Sequence, residues 1–242
     1  MPTPTNARIP TDARERLIIA LDVSTAAAAQ KIVAAVGDSA LTFKVGMRLF
    51  TAGGPQVVRD LVASGRRVFL DLKYHDIPNT VGAAVSEAAK LGVSMLTVHA
   101  AGGEKMLRAA VDAGSPFPNL TILAVTVLTS LNSDDLGKVG VGGAVEENVV
   151  RLAGLALKTG CQGIVTSARE VRAVREKLGH DFFVVTPGVR PAGTNVGDQV
   201  RVVTPAEAIA AGATHIVVGR PITEAADPAA EARAILGQMK QM

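Results

Sequence analysis

The sequence predicts a single-domain α/β fold, a closed (β/α)8 TIM barrel. Three observations predict it. Eight short apolar runs rich in β-branched residues recur along the chain, Ala-rich segments with helical spacing follow them, and the 242 residues come close to the roughly 250 that one such barrel needs. An open doubly wound sheet would give a similar alternation. Its Gly-rich dinucleotide turn is missing after the first strand, where Asp22-Val23-Ser24-Thr25 stands instead.

The runs lie at Leu17–Asp22, Leu41–Val45, Arg67–Lys73, Ser94–His99, Leu120–Val127, Gly163–Thr166, Phe182–Thr186 and Thr214–Gly219. Their continuous apolar character suits parallel strands covered by helices. After the first, Ser24 or Thr25 offers a helix N-cap to Ala26–Val36. After the third, Pro78 opens a helix over Pro78–Leu91, where its missing N–H costs nothing. Helical spacing recurs over Glu104–Ala113, Val145–Thr159 and Pro228–Lys240, and the glycine pairs Gly53-Gly54, Gly102-Gly103 and Gly142-Gly143 mark turns. No composition break divides the chain. Residues 1–16 are expected to form a flexible polar tail and residues 17–242 the barrel.

Composition narrows the function classes. Trp is absent and aromatics are 3%, so the core must be built from Ala, Val, Leu and Ile, and stacking platforms for single-stranded nucleic acid are lacking. The net charge of +3, from 25 basic and 22 acidic residues scattered along the chain, suits an anionic metabolite and does not call for nucleic acid. Cys161 is the one cysteine, so no intrachain disulfide can form. With no secretory leader apparent, a cytoplasmic setting is expected. No apolar run reaches the roughly 18 residues of a membrane span.

The interior of a barrel wants apolar side chains, so charges at the C-terminal ends of strands call for a reason. Asp22, Lys44, Asp71, Lys73 and His99 stand at four successive strand ends. Asp71 and Lys73 are two apart and on a regular strand face the same side. Asp76 follows in the loop. A single such residue is as readily a structural salt bridge at the rim. Asp22, Lys44, Asp71, Lys73 and Asp76 together point to alternating ammonium and carboxylate groups in one cleft. His99 fits a structural role as well as a catalytic one.

Barrels often bind phosphate with the loops after strands 7 and 8. Here those loops carry Pro187-Gly188-Val189-Arg190-Pro191, a polar stretch running on to Gln199, and Val218-Gly219-Arg220-Pro221. Glycine lets backbone N–H groups approach phosphate oxygens, and arginine adds a permanently charged fork. Gly219 and Arg220 supply both features, unless they simply turn the chain into the last helix. Arg190 to Gln199 could close over a ligand as a lid.

These residues resemble the orotidine 5′-phosphate decarboxylase family. The decapeptide Asp71-Leu72-Lys73-Tyr74-His75-Asp76-Ile77-Pro78-Asn79-Thr80 resembles its signature. Ala20-Leu21-Asp22, Phe43-Lys44-Val45-Gly46, Val127-Leu128-Thr129-Ser130, Pro187 to Pro191 and Val218 to Pro221 fall in the family's order. The resemblance implies that Asp22 and Lys44 hold the ribose hydroxyls. It implies that Lys44, Asp71, Lys73 and Asp76 form the catalytic array, with Asp76 and Thr80 donated across a homodimer interface. Thr129 or Ser130 would read the pyrimidine; Gln199, Gly219 and Arg220 would hold the phosphate, and Arg190 would sit in the closing loop. The implied reaction converts orotidine 5′-phosphate into uridine 5′-phosphate (UMP) and carbon dioxide in pyrimidine biosynthesis, without cofactor or metal. Hexulose-phosphate synthases share an Asp-x-Lys-x-x-Asp core and use magnesium, which makes a magnesium-dependent sugar-phosphate aldolase or decarboxylase the rival enzyme. A phosphate-metabolite sensor is the non-enzymatic rival, and it would not need Lys73 between two carboxylates.

Overall fold

A computed structural model describes residues 9–191 and 203–240. Eight strands, β1 (Leu17–Ala20), β2 (Thr42–Gly46), β3 (Arg67–Tyr74), β4 (Met95–His99), β5 (Thr121–Val125), β6 (Gly163–Val165), β7 (Phe183–Thr186) and β8 (His215–Val218), close into a barrel in sequence order. Every pairing is parallel, and β1 closes the ring on β8. The barrel expected from the alternation is therefore present.

Side-chain alternation divides the core in two. Leu17, Ile19, Phe43, Val45, Val68, Leu70, Leu96 and Val98 face outward into the layer shared with the helices. Ile18, Ala20, Phe69, Leu123, Val125, Val165, Val185 and Val217 form a separate inner cluster. Small glycines allow the inner ring to close tightly. A Cβ on Gly163 would lie 2.5 Å from the Phe183 carbonyl oxygen and 2.9 Å from Leu123 Cδ2. His215 plugs the base of this interior beside Phe183, and burial pushes its pKa down to about 3, so it stays neutral.

The helices begin where the capping chemistry places them. The Thr25 hydroxyl accepts the Ala28 N–H at 3.2 Å and caps Ala26–Val36, which decides between Ser24 and Thr25. Pro78 opens Pro78–Lys90. The Gly53-Gly54 pair differs from the expected turn. It lies within the helical stretch Met47–Ala63, which kinks at Gly54 (φ 63°) just before Pro55, a residue that cannot continue the preceding hydrogen-bond ladder. The chain also joins the barrel before residue 17. Ala13–Arg16 make a helical turn capped by Asp12, and the Arg16 guanidinium donates to the Thr214 and Ala213 carbonyls at the barrel base. No helix among the described residues is long and apolar enough to cross a membrane.

Candidate active site

Extending the inner face of each strand by two residues leads from apolar filling to charge. Ala20 is followed by Asp22, and Phe69 by Asp71; on β2 the inward position is Lys44, with Gly46 above it. These residues line a cavity of about 520 Å³ at the C-terminal mouth, together with Val127 after β5, Thr166 after β6, Pro187 after β7 and Gly219 after β8. A cavity of that size lies within the range that holds small ligands.

The charges form a continuous row. Lys44 Nζ donates to Asp22 Oδ1 at 2.8 Å and lies 3.8 Å from Asp71 Oδ2. Lys73 Nζ donates to Asp71 Oδ1 at 2.9 Å. Asp71 and Lys44 are largely withdrawn from water, with side-chain exposures of 13% and 12%, whereas Asp22 is 61% exposed. Pairs this far from solvent are held by their partners, and removing one would leave its mate uncompensated. Among the described residues, no group of three His, Cys, Asp or Glu side chains could hold a metal ion.

Lys73 reaches the cavity by a route that simple alternation does not describe. Leu70 pairs with Leu96 and Tyr74 with Val98, so Asp71, Leu72 and Lys73 face the single residue Thr97. This bulge gives Lys73 a φ of 53°, the one positive value among the described non-glycine residues. Its N–H donates to Thr97 Oγ1 at 2.9 Å, and that hydroxyl donates to Asp71 Oδ1 at 3.0 Å. Asp71 and Lys73 do share the interior, as the sequence predicts, but through a bulge that brings them together.

The other expected residues divide into three groups. Thr129, Arg190, Gly219 and Arg220 line the cavity. Thr129 does so and Ser130 does not. Asp76 and Thr80 are exposed and lie outside its lining; an Asp76 carboxylate oxygen accepts the N–H of Ile77. Gln199, with most of the expected lid, lies outside the described residues. His99 does not line the cavity. It stacks on His75 at 5.1 Å, and burial, with His75 and Lys73 adding to it, lowers its pKa and favours the neutral ring.

Arg48 and Thr166, which the sequence alone does not single out, are also in the lining. The Arg48 guanidinium donates to the Asp22 carbonyl at 3.1 Å. Its position four residues beyond Lys44 placed it near the mouth. Thr166 follows directly on β6 and carried no charge to mark it.

Residues 15–235 match the family model described as "Orotidine 5'-phosphate decarboxylase / HUMPS family". The chain is 51% identical over 239 residues to the orotidine 5′-phosphate decarboxylase of Moorella thermoacetica, covering 95% of this chain and 94% of that protein. It is 55% identical over 221 residues to the enzyme of the same name from Anaeromyxobacter dehalogenans, covering 91% and 96%. Among solved structures, the orotidine 5′-phosphate decarboxylase of Lactobacillus acidophilus superposes with a TM-score of 0.84 at 39% identity, over 93% of this chain and 99% of that one.

Proposed function

The chain belongs to the orotidine 5′-phosphate decarboxylase / HUMPS family, and from that premise we propose that it converts orotidine 5′-phosphate to UMP and carbon dioxide, the last step of de novo pyrimidine synthesis, with Lys73 as proton donor. The observation that carries this reading is the continuous charged row Asp22–Lys44–Asp71–Lys73 at the barrel mouth.

Breaking the bond between C6 and the carboxylate leaves its electron pair on C6, in the ring plane, where the π system cannot spread it. Lys73 offers an ammonium where that charge develops and passes its proton to C6. The neutral amine then recovers a proton from water. Asp71 holds the Lys73 ammonium at 2.9 Å and presents a carboxylate of its own. Repulsion of the departing carboxylate and orientation of Lys73 are both open to it. Asp22 and Lys44 suit the ribose hydroxyls. Gly219 and Arg220 suit the phosphate with Gln199, and Arg190 suits the closing loop. Of the two candidates for reading the pyrimidine, Thr129 is favoured by its place in the lining. Phosphate binding does no chemistry itself, yet its energy can assemble the array.

The reading includes a homodimer in which Asp76 and Thr80 complete the partner's site. Support comes from their exposure outside the cavity of their own chain, beside Ile77, whose apolar side chain is 66% exposed. A cytosolic setting is supported by the lone Cys161, buried with its thiol pushed up to about 12 and so unsuited to disulfide chemistry.

The family description covers more than one activity, whereas the similar curated proteins cited above are all named for the nucleotide reaction. Purified protein mixed with orotidine 5′-phosphate in EDTA should show the ultraviolet change that accompanies UMP formation. Inactivity in EDTA, with turnover of a sugar phosphate restored by magnesium, would transfer the chain to the rival activity.

A further inference from the structure

Thr97 lies where the bulge in β3 has broken the sheet. Three residues, Asp71, Leu72 and Lys73, stand opposite it. Arg67 donates its N–H to the Leu41 carbonyl on the β2 side and the Val68 carbonyl accepts from Ser94 on the β4 side, so an unbroken alternation would aim the N–H of Lys73 toward β2. Here it donates to the Thr97 hydroxyl at 2.9 Å. The hydroxyl hydrogen goes to Asp71 Oδ1 at 3.0 Å, the same oxygen that accepts Lys73 Nζ at 2.9 Å. Thr97 is fully buried, so water cannot replace either bond without entering the barrel.

We propose that Thr97 is a positioning residue: its one hydroxyl fixes the backbone of Lys73 in its left-handed conformation and aims Asp71, and so sets the separation of the two groups. The role needs a donor and an acceptor on one small side chain, which a hydroxyl supplies. A left-handed φ costs a lysine energy and persists only when the surroundings impose it. The ion pair joins side-chain tips, with Lys73 reaching Asp71 on a flexible four-carbon stem, so it does not by itself determine the backbone beneath it. The hydroxyl acts on both residues at once. Valine at this position has the same shape but offers neither bond, leaving the Lys73 N–H orphaned and Asp71 one donor short.

The inference rests on the proposed decarboxylase reading for its kinetic consequence, but its structural consequence can be measured without turnover. Thr97→Val, Thr97→Cys and Thr97→Ser should be compared with wild type for kcat, KM and crystal structure. Thr97→Val should lower kcat at least about 30-fold with KM changed less than about threefold, because positioning is lost and binding is kept. Thr97→Ser, which keeps the hydroxyl, should stay within about threefold of wild type, and Thr97→Cys should fall between. Should the valine variant not fold, the cysteine and serine variants still give the order. In crystals, the valine or cysteine variant should show Lys73 leaving the positive-φ region or its Nζ moving beyond hydrogen-bond distance of Asp71. A Thr97→Val enzyme with wild-type kcat, a serine variant no better than valine, or an unmoved Lys73 in the variant crystal would each overturn the proposal. Absence of turnover in wild type would count against the decarboxylase reading alone, with the crystal comparison still deciding the role of Thr97.

Discussion

Gly46 has no side chain where Lys44 needs room. A Cβ there would lie 3.0 Å from Lys44 Nζ and 3.3 Å from Asp22 Oδ1. The backbone at Gly46, φ −94° and ψ −179°, is open to any residue. The obstacle is therefore the ion pair rather than the main chain, and the atom displaced is the end of a flexible side chain. Gly46→Ala should leave the melting temperature within about 2 °C, since the fold loses nothing. It should lower kcat/KM about 10- to 100-fold by shifting the ammonium. Steady-state kinetics beside a thermal melt check this, and unchanged kcat/KM would mean that Lys44 swings aside at no cost. At this scale the site is legible in the sequence where charge stands out. Asp22, Lys44, Asp71 and Lys73 all reach one cavity. Thr97 and Thr166 carry no signal of their own, because an uncharged threonine in a strand or at its end is also what β propensity favours.

The elements were legible in kind and less so in detail. Eight strands and their parallel order follow from apolar runs and intervening helices, and Ala26–Val36 coincides with its expected span. The bulge in β3 escaped, because three residues facing one is a relation between two strands, and neither strand's sequence alone contains it. The helix over Met47–Ala63 was obscured by Gly53-Gly54-Pro55, which reads as a turn and is used as a kink. Gly163, inside the three-residue strand β6, is the converse case of a glycine that looked unremarkable. Its missing Cβ lets β7 approach, with the Phe183 carbonyl oxygen 2.5 Å from where that atom would be. A backbone atom cannot rotate away. Gly163→Ala should therefore destabilise the barrel by about 1–3 kcal/mol through overpacking. Urea unfolding measures it, and a wild-type midpoint would mean that β6 and β7 have room to separate.

At the scale of the whole molecule, the barrel gathers to one mouth residues that lie far apart in sequence, from Asp22 to Arg220. It does not bring Asp76 or Thr80 there, and a second copy is the proposed source of those groups. If so, Asp76→Ala and Lys73→Ala proteins, each inactive alone, should recover about a quarter of wild-type activity when unfolded and refolded together. Half the dimers would be mixed, each with one intact site. No recovery would place each complete site within one chain. The central claim, however, concerns Lys73. The most direct test is kcat for orotidine 5′-phosphate in Lys73→Ala, with UMP affinity measured on the same protein. Loss of the ammonium and its proton together predicts a fall in kcat of at least about 10⁴-fold, with UMP affinity within about tenfold of wild type. A variant that binds UMP normally and still decarboxylates within about tenfold of the wild-type rate would contradict the assignment of Lys73 as the proton donor.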